Sequence, residues 1–267
     1  MRETLTRSLS GIIYIALLSV ATYSSPFTFL LLFAAFLGIC IQEFCDLVRL
    51  RKTLPILIGL AVFLTFSWYS TYEWVDWALL AASLLVSVKC LIFLFDDRIQ
   101  SYSPLSKYVF LVGYLIFPFT LLTRLPFVSG KFEPMVILSI FILIWTNDTF
   151  AFITGKSLGK HKLLERISPK KTIEGFVGGA LASMIAGYLL AVYALEASPL
   201  LWVALAAVVS VMGTIGDLVQ SKFKRVAMVK DSGKIMPGHG GILDRLDSVI
   251  FAAPFVFLFF QIANYVS

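Results

Sequence analysis

The residues between positions 221 and 247 have the types and spacing that phosphate chemistry requires. This stretch holds six lysine or arginine residues, three aspartates, a Pro-Gly pair and a His-Gly-Gly triplet, between two long apolar segments. Lysine, arginine and exposed backbone N–H groups bind phosphates, and carboxylates bind the Mg²⁺ that commonly accompanies them. The stretch therefore indicates a site for a polyphosphate and a metal ion beside a membrane.

Three aspartates are the candidate metal ligands. Asp244 and Asp247 are three residues apart at the start of the last apolar segment, so on a helix their carboxylates share one face. Asp217 lies at the end of the preceding apolar segment. Mg²⁺ takes oxygen ligands, often one or two carboxylates together with phosphates and water. We therefore predict that Asp217, Asp244 and Asp247 bind the metal.

Cations and glycines around these aspartates are the candidates for binding phosphate. If the helix that contains Asp217 continues, Ser221 and Lys224 lie on the same face, four and seven residues further on. Lys222 and Arg225 then lie on an adjacent face. The predicted set from this stretch is Ser221, Lys222, Lys224, Arg225, Lys230, His239, Gly240, Gly241 and Arg245.

A second group of polar residues lies upstream, in and after the sixth apolar segment. Asp148, beside Asn147, is about six residues from the predicted end of that segment, roughly 9 Å at the helical rise. A carboxylate inside an apolar span is costly unless it has a polar task, so Asp148 is either functional or bonded to a neighbouring helix. Lys170 and Lys171 follow in a basic loop, where they contact phosphate or serve only as topology-setting charges.

The next helix has two sequence features that concern its start and its packing. Ser168-Pro169 is a candidate start signal for this helix. Gly175 and Gly179, four residues apart, predict a face of small residues that allows close packing against another helix.

The elements that must position these residues are membrane-spanning helices. The chain is 59% hydrophobic and 14% charged, with a mean hydropathy of +0.89. Runs of about 20 apolar residues are typical of transmembrane helices. Nine such runs are predicted, at about 9–24, 26–44, 55–72, 75–95, 106–123, 135–154, 175–196, 199–218 and 248–266. The predicted fold is all-α and polytopic, with scaffold helices in residues 1–133 and a catalytic region in residues 134–267.

The placement of lysine and arginine predicts the orientation of the nine spans. With alternating spans, the N-terminus and the loops after spans two, four, six and eight share one side, and that side holds 19 of the 22 lysine and arginine residues. Such loops are cytoplasmic in membrane proteins. The net charge of +6 is therefore concentrated on one face, and the candidate site faces the cytoplasm.

The same residues resemble the signature of the phosphatidate cytidylyltransferases (CDP-diacylglycerol synthases) of bacteria. Met236 is a mild departure, because the family pattern has leucine, isoleucine or phenylalanine there. Upstream blocks around residues 147–151, 155–160 and 168–175 are similar as well, so the resemblance covers about residues 146–247. The residues that carry the signature are Ser221, Lys224-Arg225, Lys230-Asp231, Gly233, Pro237, His239-Gly240-Gly241 and Asp244-Arg245-x-Asp247.

The resemblance implies a reaction in which CTP and phosphatidic acid give CDP-diacylglycerol and pyrophosphate with Mg²⁺, in the inner membrane of a bacterium. No nucleic-acid partner is expected, and a homo-oligomer is left open. The residues implied in catalysis are Asp217, Lys224, Arg225, Asp244 and Asp247. Those implied in substrate binding are Asn147, Asp148, Lys170, Lys171, Ser221, Lys222, Lys230, His239, Gly240, Gly241 and Arg245.

Two other functions remain open on the residues alone. A CTP-dependent lipid-alcohol kinase would need a similar site but would transfer the γ-phosphoryl group. A transporter of anionic substrates could use Asp148 and a basic mouth, although the chain shows no sequence repeat of the kind common in transporters. The motif of the CDP-alcohol phosphotransferases is absent from the sequence.

Overall fold

The computed structural model describes residues 2–68, 73–96 and 102–266. Within these ranges the chain is almost entirely helical. Three π-helical turns, Leu64–Trp68, Leu111–Ile116 and Ala191–Leu195, and a short 3-10 turn, Leu125–Phe127, continue or join helices. The α-helices are α1 (Arg2–Ser24), α2 (Pro26–Val48), α3 (Thr53–Phe63), α4 (Glu73–Phe95), α5 (Pro104–Phe110), α6 (Phe117–Arg124), α7 (Pro134–Leu158), α8 (Ile173–Leu190), α9 (Pro199–Val226) and α10 (Leu243–Val266).

Long apolar helices dominate the described residues, which confirms the all-α membrane fold. Seven helical segments of this part of the chain are long and apolar enough to cross a membrane, and two shorter apolar helices, Leu9–Ser24 and Thr53–Ser67, accompany them. The nine segments coincide with the nine predicted runs, since α5 and α6 form one continuous segment. The seven long segments are Pro26–Val48, Glu73–Phe95, Pro104–Phe127, Pro134–Leu158, Ile173–Leu195, Pro199–Val226 and Leu243–Ala263.

Contacts between distant helix ends agree with nine alternating segments. Near the end of α9, Lys222 Nζ donates to the backbone oxygen of Asp96, which directly follows α4. Arg124 at the end of α6 pairs at 2.8 Å with Asp76 at the start of α4. The two contacts therefore lie at opposite ends of α4, as alternation requires.

Glycines bring α8 directly against the backbone of α7, which confirms the predicted small-residue face. A Cβ atom built on Gly175 would lie 2.7 Å from the backbone oxygen of Ala151, and one on Gly179 would lie 2.5 Å from that of Asn147. Real side-chain carbons do not approach so closely. The contact fixes the turn of α7 that carries Asp148.

A single glycine has the same effect between α9 and α10. A Cβ atom on Gly216 would lie 2.9 Å from the backbone oxygen of Asp247. This close approach places Asp217, the next residue of α9, beside the first turns of α10.

The loop after α7 contains a small β-hairpin where the sequence predicted only helix and loop. Strand β1 (Lys162–Leu164) pairs antiparallel with β2 (Ser168–Thr172). The predicted helix start at Ser168 is wrong, because Ser168 pairs with Leu164 in the hairpin. The helix cap is Thr172, whose Oγ1 accepts a hydrogen bond of 3.1 Å from Gly175 N.

Candidate active site

A cavity of about 630 Å³ lies at one end of the helices, between α7, the hairpin, α8, α9 and α10. Its size is in the range of small-molecule sites. Its walls combine lysines, aspartates and a few apolar groups such as Phe152 and Phe176. The charged side chains of its lining are Asp148, Lys156, Lys162, Lys170, Lys171, Asp217, Lys224, Asp231, Asp244, Arg245 and Asp247.

The structure brings most of the residues predicted from the two sequence blocks into this one cavity. They come from α7, β2, α9 and α10, which are distant in sequence. Lys156, Lys162 and Asp231 join them, although the sequence did not single these three out as binding residues. The predicted residues in the lining are Asn147, Asp148, Lys170, Lys171, Asp217, Lys224, Asp244, Arg245 and Asp247.

Two predicted phosphate-binding cations point away from the cavity. Lys222 is buried against α4, and its Nζ lies 5.5 Å from the centre of the Phe93 ring. Arg225 Nε donates to the backbone oxygen of Ile167 at 3.4 Å. Both residues occupy the adjacent face of α9, outside the cavity lining. Lys222 packs against protein there, whereas Arg225 is exposed.

The remaining predicted residues are not part of the cavity lining. Ser221 Oγ donates to Asp217 Oδ1 at 3.2 Å, which confirms that these two residues share a helix face. His239 shares a hydrogen bond of 2.7 Å with Ser10 Oγ of α1. Lys230 is exposed in the turn after α9. Gly240 and Gly241 form the last part of the loop that leads into α10.

Two ion pairs organise the charges of the cavity. Lys171 Nζ lies 2.6 Å from Asp217 Oδ2, with both side chains partly exposed. Lys224 Nζ lies 2.7 Å from Asp244 Oδ1, and these side chains are only 13% and 4% exposed. The second pair is therefore the one whose disruption would leave an uncompensated charge inside the protein.

Asp244 also orders the loop that precedes α10. Its Oδ2 accepts hydrogen bonds from Ser232 N at 2.7 Å and Gly241 N at 3.0 Å. Gly240 has a φ of +86°, and a Cβ atom there would lie 2.7 Å from Asp244 Oδ2. A glycine is therefore required at this position for both conformation and space.

The three aspartates predicted to bind a metal are not arranged as one ready-made metal group. Across residues 2–68, 73–96 and 102–266, no cluster of three or more histidine, cysteine, aspartate or glutamate side chains could hold an ion. Asp244 has Lys224 on one oxygen and two backbone N–H groups on the other. Asp217, which is paired with Lys171 and Ser221, and Asp247 both line the cavity. They fit Mg²⁺ that arrives with phosphate oxygens, since such ions commonly use one or two carboxylates.

Asp148 lies further from the end of its helix than the sequence predicted. Helix α7 continues to Leu158, so Asp148 is ten residues from its end, about 15 Å at the helical rise. The residue is exposed to the cavity. Its Oδ1 accepts a long hydrogen bond of 3.5 Å from Asn147 Nδ2. The carboxylate is thus available to a ligand.

We expect Asp148→Asn to lower the specificity constant, kcat/KM, by about tenfold with little change in thermal stability. The substitution keeps the size of the side chain and removes the charge that faces the cavity lysines. Steady-state kinetics and a thermal melt of the purified protein measure the two effects. Unchanged kinetics would show that Asp148 is structural.

The sequence missed Glu43, which lies in α2 within the part of the chain interpreted as scaffold. Its side chain is buried and accepts hydrogen bonds from the loop before α10. The signal that singled out Asp148, a carboxylate inside an apolar span, applies equally to Glu43. A helix of the part interpreted as scaffold therefore contacts the loop that leads into the cavity helix α10.

Fold and cavity together define a multi-span membrane protein with a cavity of lysines and aspartates at one end of its helices. The chain belongs to the cytidylyltransferase family, whose model matches residues 5–263.

Similar proteins of staphylococci share about half of the chain. A phosphatidate cytidylyltransferase of Staphylococcus saprophyticus is 49% identical over 120 residues, which are 44% of this chain and 46% of the relative. One of Staphylococcus aureus is 50% identical and one of Staphylococcus haemolyticus is 48% identical, with the same shares. The chain thus spans about half the length of the curated relatives that it matches.

Proposed function

We propose that the protein is a phosphatidate cytidylyltransferase, which converts CTP and phosphatidic acid to CDP-diacylglycerol and pyrophosphate. The observation that carries the proposal is the cavity itself. A member of the cytidylyltransferase family collects lysines from α7, both strands of the hairpin and α9 at one end of apolar helices. This is where a water-soluble nucleotide and a membrane lipid would meet.

The charges suit two phosphate-bearing substrates. Lys156, Lys162, Lys170, Lys171 and Lys224 all line the cavity. Lys171 and Lys224 are paired with aspartates, so an incoming polyphosphate would compete with those carboxylates for the ammonium groups. Before the substrate binds, the aspartates hold these lysines in position and balance their positive charge.

The proposed reaction forms one bond and breaks one bond at the α-phosphorus of CTP. An oxygen of the lipid phosphate attacks this phosphorus, the bond to the bridging oxygen of the β-phosphate breaks, and pyrophosphate leaves. No protein nucleophile is needed, because catalysis of this kind rests on positioning and on charge stabilisation. Lys171 and Lys224 would hold phosphate oxygens, and Arg245 would bind a further phosphate oxygen or a carboxylate.

Magnesium completes the proposal. Asp217 and Asp247 would hold the ion, which when bound supplies positive charge to the polyphosphate. Asp244 would act mainly by orienting Lys224 and the loop before α10, which its contacts support.

We also propose that the cavity faces the cytoplasm in the plasma membrane of a bacterium. The apolar helices support the membrane location. The excess of lysine and arginine at the cavity end supports the orientation.

The orientation predicts the accessibility of a cysteine placed at Met228. This side chain is 89% exposed in the turn after α9, whereas the native Cys40, Cys45 and Cys90 are buried. In a background without these cysteines, Met228→Cys should react with a membrane-impermeant thiol reagent only after permeabilisation of the cells.

Lys131→Cys is the matched control for this experiment, since Lys131 is exposed and lies between α6 and α7 at the opposite end. It should react in intact cells. Reversed reactivity of the two variants would reverse the orientation and contradict the proposal.

The proposed function is tested with purified protein in detergent, CTP, phosphatidic acid and Mg²⁺. We expect CTP-dependent formation of a CDP-lipid and of pyrophosphate, both abolished by excess EDTA. Turnover without any ion or substrate gradient would also exclude a transporter as the sole function. Absence of product over a range of phosphatidic acids and divalent ions would contradict the proposal.

A further inference from the structure

Glu43 is a buried carboxylate whose hydrogen-bond partners lie in the loop between α9 and α10 and at the first residue of α10. The residue lies near the end of α2 and is 4% exposed. Its partners are about 190 to 200 positions further along the chain. A carboxylate at this depth persists only where donors satisfy its oxygens.

Both oxygens of Glu43 accept hydrogen bonds at the start of α10. Oε1 accepts from Ile242 N at 3.1 Å, and Oε2 accepts from Leu243 N at 2.8 Å. The first N–H groups of a helix have no partner within the helix, and a negative charge is favourable at that end. Glu43 therefore caps α10 from another helix.

Glu43 and Asp244 hold the same loop from two sides. Ser232 Oγ donates to Glu43 Oε2 at 3.0 Å, and Ser232 N donates to Asp244 Oδ2 at 2.7 Å. Asp244 in turn forms the ion pair with Lys224 in the cavity. The chain of contacts thus runs from Glu43 through Ser232 to the buried ion pair.

Two glycines show how closely the loop fits around this carboxylate. Cβ atoms built on Gly233 and Gly241 would overlap the carboxylate of Glu43. Neither glycine has a positive φ. Glycine is therefore required at these positions because a larger residue would not fit. The loop therefore packs tightly against Glu43 near its start, at Gly233, and near its end, at Gly241.

We propose that Glu43 is a positioning residue, which holds the loop 232–243 so that Asp244 and Lys224 keep their places in the cavity. The expected effect on kcat/KM rests on the proposed function. The expected effect on the loop rests on the hydrogen bonds alone. Glu43 contacts Ser232, Ile242 and Leu243, and it acts on the cavity only through them.

The test is Glu43→Gln, which keeps the volume of the side chain. An amide offers one acceptor oxygen, so its NH₂ group would face the N–H of either Ile242 or Leu243. We expect faster hydrogen exchange at the amides of Ile242 and Leu243 in the full-length protein. We also expect kcat/KM per folded molecule to fall by about tenfold or more.

Two control variants separate positioning from general stability. Asp46→Asn changes an exposed carboxylate one turn further along α2, which pairs with Lys52, and should alter neither readout. Asp76→Asn changes a partly buried carboxylate at the other end of the helices. It should lower the melting temperature and leave kcat/KM per folded molecule unchanged.

A second variant tests the same contact with Glu43 in place. Gly233→Ala pushes on the carboxylate and should reproduce both effects. Because both substitutions break one contact, the double variant should be no more than about twofold worse than the more damaging single variant. Effects that multiply fully would overturn the inference.

The outcomes separate this inference from the proposed function. If the wild-type chain makes no CDP-lipid, the proposed function fails, and exchange at Ile242 and Leu243 still decides the inference. If the wild type is active while Glu43→Gln leaves both activity and exchange unchanged, the inference alone is overturned.

Discussion

Asp247→Asn is expected to lower kcat/KM by at least about a hundredfold, or about 2.7 kcal/mol of transition-state stabilisation. Asp247 is 6% exposed and lines the cavity together with Asp217. The asparagine keeps an oxygen for the N–H of Ser248, which now donates to Asp247 Oδ1 at 2.7 Å. The loss should therefore come from the missing charge and not from the fold.

A Mg²⁺ titration of activity identifies what Asp247 does. Loss of an anionic ligand should raise the Mg²⁺ concentration needed for half-maximal activity, and high Mg²⁺ should restore part of the rate. Asp46→Asn, which changes an exposed carboxylate of α2, should leave the titration unchanged. Lost activity with an unchanged Mg²⁺ midpoint would show that Asp247 does not bind the metal.

Lys224→Ala is expected to lower kcat/KM by at least about a hundredfold, without rescue by Mg²⁺. Among the described lining residues, its side chain is the more deeply buried of the two lysines paired with aspartates, at 13% exposure. The substitution removes a phosphate-binding charge. It also leaves Asp244 unpaired, which for buried pairs costs about 3–5 kcal/mol of stability.

The double variant Lys224→Ala, Asp244→Asn separates these two effects. Removing the charge of Asp244 should recover much of the lost thermal stability, while activity stays low because the cation is still missing. Lys52→Ala, which breaks the exposed pair with Asp46, should retain wild-type activity. Recovery of activity in the double variant would mean that Lys224 serves only to balance Asp244.

Local sequence patterns predicted the helices, because a helix depends mainly on residues that are close together in the sequence. Apolar runs of about 20 residues gave the nine segments. The four-residue spacing of Asp217 and Ser221 predicted that they share a helix face, where their side chains form a hydrogen bond. Gly175 and Gly179 predicted, for the same reason, a close approach to another helix, which the structure shows to be α7.

Contacts between distant elements could not be read from such patterns. On α9, Lys222 follows Asp217 by five residues and so turns about 140° away from it, towards Asp96. The positive charge of Lys222 does not by itself indicate the direction of the side chain, which depends on the helical angle. Glu43 finds its partners about 200 residues away, and only the packing of α2 against the loop before α10 reveals them.

The hairpin after α7 was missed for a different reason. Its strands have only three and five residues and lack the alternation that predicts a half-buried strand. It places Lys162, which the sequence did not single out, at the cavity beside the predicted Lys170 and Lys171.

The central claim, transfer of the cytidylyl group to a lipid phosphate, is tested most directly by following labelled phosphorus from CTP. Purified protein is given phosphatidic acid with CTP labelled at either the α- or the γ-phosphorus. Our account predicts that the α-label enters the lipid fraction and that the γ-label appears in pyrophosphate. Entry of the γ-label into the lipid, with CDP as the other product, would contradict the account and identify a lipid kinase.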